Sequence, residues 1–155
     1  MHLAGGADGG HGYTKYAGAA GYDRQSFIQS RNRVESTDLF YSGMSVGWTW
    51  GYKPSAAVRN RIEHNHIHHL GHGRMNDMAG IYALGVSPST ILRHNVIHDV
   101  QAYQSSVGYC LGVGIYLDWS SSGTRTYGNI IARAPRGGIH LHDGRDNVIE
   151  NNIIV

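Results

Sequence analysis

The acids of this chain are few, and two of them, Asp77 and Asp118, stand beside strand-like segments rich in Tyr and His. Four segments open on Gly: GMSVGW from Gly43, GIYALG from Gly80, GIYLDW from Gly114 and GIHLHDG from Gly138. Two residues after each Gly come Ser45, Tyr82, Tyr116 and His140; four after come Gly47, Leu84, Asp118 and His142. Apolar residues alternate with them, so on strands these two columns face outward. Asp118 is the sole acid in the columns, and Asp77 precedes the Gly80 strand. Cleaving a glycosidic bond takes such a pair, one carboxyl to protonate the leaving oxygen and one to attack or to activate water. Tyr82, Tyr116, His140 and His142, with Trp48 and Trp119 one step further, add what a sugar site needs: aromatic faces for C–H surfaces and polar tips for hydroxyls. Asp118 is expected to serve as the acid, because partial burial among those rings raises a carboxyl pKa. Asp77 is then the nucleophile or base, with the reverse assignment left open. Straight strands at about 3.3 Å per residue would separate the two by roughly 20 Å, so the pair requires the chain to bend back at Gly80. Asp143 and Asp146, in HLHDGRD, are the alternative partners and join the candidate substrate contacts Tyr82, Tyr116, His140, His142 and Trp48.

Eleven His residues are a second signal, five of them in HNHIHHLGHG. His64, His66 and His68 would share one strand face. His-x-His on a strand can grip a metal. The same slots hold His94, Val96 and His98 one unit on, and Asn65 and Ile67 fall in corner columns, so a stacked His wall outside the groove is expected. No metal and no cofactor is expected.

What must position these residues is a repeat. Each Gly segment is followed by an Asn and, two residues on, a β-branched residue: Asn65/Ile67, Asn95/Ile97, Asn129/Ile131 and Asn152/Ile154, with Asn32/Val34 as an earlier unit. The Gly-to-Asn step is 15, 15 and 14 residues in the last three units and 22 in the first, where Trp48 to Pro54 add a loop. A fixed unit with variable insertions is a solenoid. Period-2 alternation, short β-branched segments and a coil of about 23 residues specify a parallel β-helix of about five coils, an all-β fold whose neighbouring coils pair at about 4.8 Å. Right-handedness is the usual hand of parallel crossovers. Val34, Ile67, Ile97, Ile131 and Ile154 should stack in one buried column. Asn suits the corners, since it tolerates the left-handed conformation and its amide can donate and accept along a ladder.

At 155 residues one domain is expected, with 1–26 a Gly-rich or irregular lead-in and 27–155 the β-helix. The 22 Gly and three Pro suit a turn-dense β protein, and an apolar share of 41 % is adequate for a core. Net charge is +2 with no basic run, so nothing argues for nucleic acid or a membrane surface, and no nucleic-acid partner is expected. One cysteine, Cys110, excludes an internal disulfide. There is no apolar run of membrane-spanning length and no signal-peptide pattern. Val155 follows directly on an Asn-x-Ile corner with no polar cap. The helix is therefore expected to be truncated at both ends, with flanking coils missing, and the isolated chain to be marginal or self-associating.

The strings GMSVGWTWGYKPS, NRIEHNHIHHLG, MNDMAGIYALGVSPST, LRHNVIHDV, GIYLDWSSSG and GIHLHDGRDNVIENNII resemble the catalytic core of right-handed parallel β-helix glycosidases of the pectin-lyase superfold. They are similar to glycoside hydrolase family 141, over roughly Ser36 to Val155. The resemblance implies acids where Asp77 and Asp118 stand, a plant or microbial polysaccharide as partner, and an extracellular, periplasmic or cell-surface location. Two other functions fit the same scaffold. One is a non-catalytic carbohydrate-binding or surface solenoid. The other is a polysaccharide lyase, which would resemble Ca²⁺-dependent enzymes with an Arg or Lys base; the groove columns here hold neither.

Overall fold

A computed structural model describes residues 28–30, 33–35, 42–103 and 112–155. Asn32, Cys110 and the lead-in expected over 1–26 lie outside them. The described residues form fourteen strands and no helix. The first partial coil contributes β1 (Ile28–Ser30) and β2 (Arg33–Glu35). Four coils of three strands follow: β3 (Met44–Gly47), β4 (Arg61–Glu63) and β5 (His66–Leu70); β6 (Met78–Leu84), β7 (Val86–Arg93) and β8 (Val96–Val100); β9 (Gly112–Leu117), β10 (Ser122–Tyr127) and β11 (Ile130–Ala132); β12 (Gly137–Leu141), β13 (Val148–Glu150) and β14 (Ile153–Ile154). Corresponding strands stack, all parallel, into three sheets: β3-β6-β9-β12, β1-β4-β7-β10-β13 and β2-β5-β8-β11-β14. This is the right-handed parallel β-helix that the repeat specifies.

The Gly and Ile columns explain each other. In each of the four three-stranded coils the Ile of the third strand packs across the interior onto a Gly just before or within the first strand. A Cβ on Gly43, Gly80, Gly114 or Gly138 would lie under 3.0 Å from Ile67, Ile97, Ile131 or Ile154 respectively. The coil is too narrow for two side chains there, so one must be absent. Val34, Ile67, Ile97, Ile131 and Ile154 share one register, as expected. Ile67, Ile97 and Ile131 are fully buried, while Ile154, on the final coil, is exposed.

The Asn ladder is continuous from coil to coil. Asn65 Nδ2 donates to Asn95 Oδ1 at 3.0 Å, Asn95 Nδ2 to Asn129 Oδ1 at 3.0 Å, and Asn129 Nδ2 to Asn152 Oδ1 at 2.9 Å. Each accepting oxygen also takes the preceding Asn's backbone N–H. The second amide hydrogen of Asn95 and of Asn129 caps a carbonyl of the previous coil, at Ile62 and Leu92. One part of the sequence expectation is corrected. The left-handed residue of the corner is not the Asn but the one before it: His64, His94, Gly128 and Asn151, with φ of 56°, 53°, 64° and 52°. The corner needs only one such residue, and turning before the Asn leaves its amide free to point along the helix axis.

Candidate functional site

The first sheet, β3-β6-β9-β12, carries the two outward columns in the expected register. Ser45 pairs with Tyr82, Tyr82 with Tyr116, and Tyr116 with His140. The next column continues just past the strands, where the Asp118 N–H donates to Ala83 O and the His142 N–H to Leu117 O. Asp118 thus opens the turn after β9, which the Ser121 N–H closes on its carbonyl at 2.8 Å.

Tyr82 is the hub of the site. Its hydroxyl donates to Asp118 Oδ2 at 2.5 Å, and Asp77 Oδ1 lies 3.4 Å from the same oxygen. His142 Nδ1 holds Asp118 Oδ1 at 2.7 Å. A phenol has one proton, so once it is given to Asp118, Asp77 can bond Tyr82 only by bringing a proton of its own. The electrostatics agree. Partial burial, then the charge of Asp118, push the Asp77 carboxyl above its ordinary range. Burial also pushes Asp118 upward, but hydrogen bonds from Tyr82, His142, the Trp119 backbone and Tyr116 outweigh it and hold Asp118 below that range. Burial, followed by its bond to Asp118, drives the Tyr82 phenol far upward, so it stays a donor. His140 is lowered by burial and by the nearby cation Arg136.

The expected separation of some 20 Å is therefore replaced by a contact through one hydroxyl. The chain departs from the straight-strand estimate at Asp77, which adopts a left-handed conformation, φ 54°, immediately before β6. Tyr82 spans the remainder with its own length.

The aromatic residues divide into buried and exposed sets. Tyr82 and Tyr116 are buried, 4 % and 2 % exposed, and pack ring to ring at 4.8 Å. Trp48 stacks on Tyr82 at 5.4 Å, and Tyr116 meets His140 edge-on at 4.9 Å. The exposed faces belong to Trp119 and to a residue the sequence reading missed, Trp50, which meet edge-to-face at 5.7 Å. Tyr52 was missed too. Its hydroxyl donates to Asp143 Oδ1 at 2.8 Å, and Arg145 lies 4.0 Å over its ring. The Trp48–Pro54 insertion of one coil therefore runs along the groove to the last coil and forms a wall. The signal was present in the sequence: Trp48, Trp50 and Tyr52 alternate within the inserted segment. Asp143 is thereby engaged with the wall rather than with Asp118, and Asp146 sits in the turn before β13 at φ 56°.

The family comparison falls on this scaffold. A model of the right-handed β-helix region matches residues 23–155. The chain belongs to that family. No curated protein and no solved structure matches it. In this β-helix, the described His and Asp atoms close enough to share a metal ion lie away from the groove, on the third sheet at His69, His98 and Asp99.

Proposed function

We propose that the groove over the first sheet is a polysaccharide site and that the protein is a glycoside hydrolase in the manner of the family 141 enzymes it resembles. A β-helix region is compatible with carbohydrate-active proteins and with surface solenoids alike. The observation that carries the enzyme reading is one buried phenol shared by two carboxyl groups whose pKa values are pushed apart. Opposed carboxyl environments are how acid and base roles are divided at such sites. The directions favour Asp77 as the proton donor and Asp118 as the ionised partner, the reverse of the first expectation. The two oxygens that share Tyr82 are within about 6 Å of each other, nearer the spacing of retaining than of inverting enzymes, which gives Asp118 the part of nucleophile. Trp50 and Trp119 offer exposed rings for sugar faces beside Asp118. An extracellular or cell-surface setting accompanies this proposal.

A second reading has its own support. Asp118 is only 6 % exposed and both its oxygens are engaged, by Tyr82 and His142. On that reading the network is a brace and the solenoid binds carbohydrate without turnover. The deciding experiment is hydrolysis of aryl-fucosides, xylans and pectins by the full-length protein, with Asp77→Asn and Asp118→Asn beside it. Sugar release lost in both variants supports the enzyme. Oligosaccharide affinity without release, unchanged in Asp77→Asn, supports the binder.

A further inference from the structure

The third sheet carries a cluster that the groove chemistry does not use. His66, His68 and His69 on β5, with His98 and Asp99 on β8, bring four imidazoles and a carboxylate together. His68 and His98 stack at 5.1 Å with planes 9° apart, and His66 packs on His98 at 4.9 Å. The stacked His wall expected from the sequence is therefore present, and its hydrogen bonding gives it a direction.

We propose that His69 Nε2, His98 Nδ1 and Asp99 Oδ2 form a site for a divalent transition-metal ion of the zinc type. These three positions lie within 4.8 Å of one another. His98 Nδ1 is 2.6 Å from Asp99 Oδ2, and His69 Nε2 is 3.9 Å from the same oxygen. Metal–ligand bonds near 2.0–2.2 Å in a tetrahedral arrangement need ligand atoms about 3.3 Å apart, which these two distances bracket. Imidazole and carboxylate together are the donor set of zinc and its neighbours, with water completing the shell.

The other nitrogen of each imidazole is already engaged as a metal ligand requires. His98 Nε2 meets His66 Nε2 at 2.7 Å, and His69 Nδ1 meets His68 Nδ1 at 2.8 Å. His98 Nδ1 hydrogen-bonds Asp99 Oδ2, so an entering ion would displace the proton held between them, while the outer partners fix the ring angles. Arg133 supports the assignment. Its Nη2 lies 2.7 Å from Asp99 Oδ2 and 3.2 Å from His98 Nδ1. Arg133 thus stands where a cation is wanted, with two nitrogens on the two Asp99 oxygens. Its side chain is largely exposed, so it can swing out to admit an ion.

Zinc titration calorimetry on the full chain tests this. One Zn²⁺ per chain is expected. His98→Ala abolishes binding, and His69→Ala, at an exposed side chain that leaves the fold alone, weakens it more than tenfold. His66→Ala weakens binding by about 10–100-fold, as loss of an outer partner does. Arg133→Gln tightens binding by removing the competing cation. His94→Ala, outside the cluster, changes nothing. The proposal is overturned if neither wild type nor Arg133→Gln binds saturably, if binding survives His69→Ala undiminished, or if His94→Ala weakens it as much as His69→Ala does. The site is independent of the groove, so loss of sugar hydrolysis bears on neither outcome.

Discussion

The corner column and the groove columns are built on the same ladder spacing, yet they treat side chains in opposite ways. At the corner every described coil carries Asn: Asn65, Asn95, Asn129 and Asn152. In the groove no outward position keeps one residue type throughout; Ser45, Tyr82, Tyr116 and His140 stack, beside Gly47, Leu84, Asp118 and His142. A repeated Asn satisfies the coil above and the coil below with one geometry, so its function is cohesion. A different residue on each coil cannot propagate a ladder, but it places unlike groups a strand spacing apart, which acid–base chemistry needs. Repetition marks what holds the solenoid together, and variation marks where it can act.

The comparison can be broken most severely from inside. Ile97→Asp places a lone charge at a fully buried position of the Ile column, with no partner to offset its desolvation. The domain should fail to fold; a soluble Ile97→Asp protein with native circular dichroism would refute the column. Next in size is the groove. Asp118→Asn should lower turnover by about 10²–10⁴-fold while keeping native circular dichroism, since shape is kept and the ionised carboxylate is lost.

Asn95→Ala is the corner counterpart. It removes four hydrogen bonds, two from Asn65 and one each to Asn129 and Ile62, and should cost about 4 kcal/mol at roughly 1 kcal/mol per bond, read by urea denaturation. Ser45→Ala, a buried position in the groove column outside the amide ladder, should cost less, about 1 kcal/mol. Equal costs for the two would erase the distinction between columns. Gly80→Ala, which drives a Cβ into Ile97, should cost about 1–3 kcal/mol as overpacking does.

The smallest effect is in pH. Asp77 has a raised folded-state pKa, so it binds more protons folded than unfolded, and its contribution to stability is present at acid pH and lost as pH rises through the folded value. Asp118, lowered, contributes in the other direction, with stability gained above its unfolded value and lost as pH falls through the folded one. Asp77→Asn should therefore gain stability relative to wild type on going from pH 3 to pH 7. A constant difference across that range would remove the electrostatic coupling between the two acids.

Much of this was legible in the residues alone. Gly, Asn and Ile at matched offsets determined the coil, the parallel stacking, the buried column and the amide ladder, because a solenoid writes its contacts into its period. The same period placed Tyr82, Tyr116, His140, Asp118 and His142 on one face. Three matters were decided only by the tertiary structure. The left-handed corner residue precedes the Asn, since any of His64, His94, Gly128 and Asn151 meets that need and no single residue type marks it. Asp77 reaches Asp118 because a tyrosine side chain bridges what backbone spacing separates. The Trp48–Pro54 insertion crosses to Asp143 and Arg145 because a loop outside the repeat takes its path from the surfaces it finds, and its sequence carries no register to announce them.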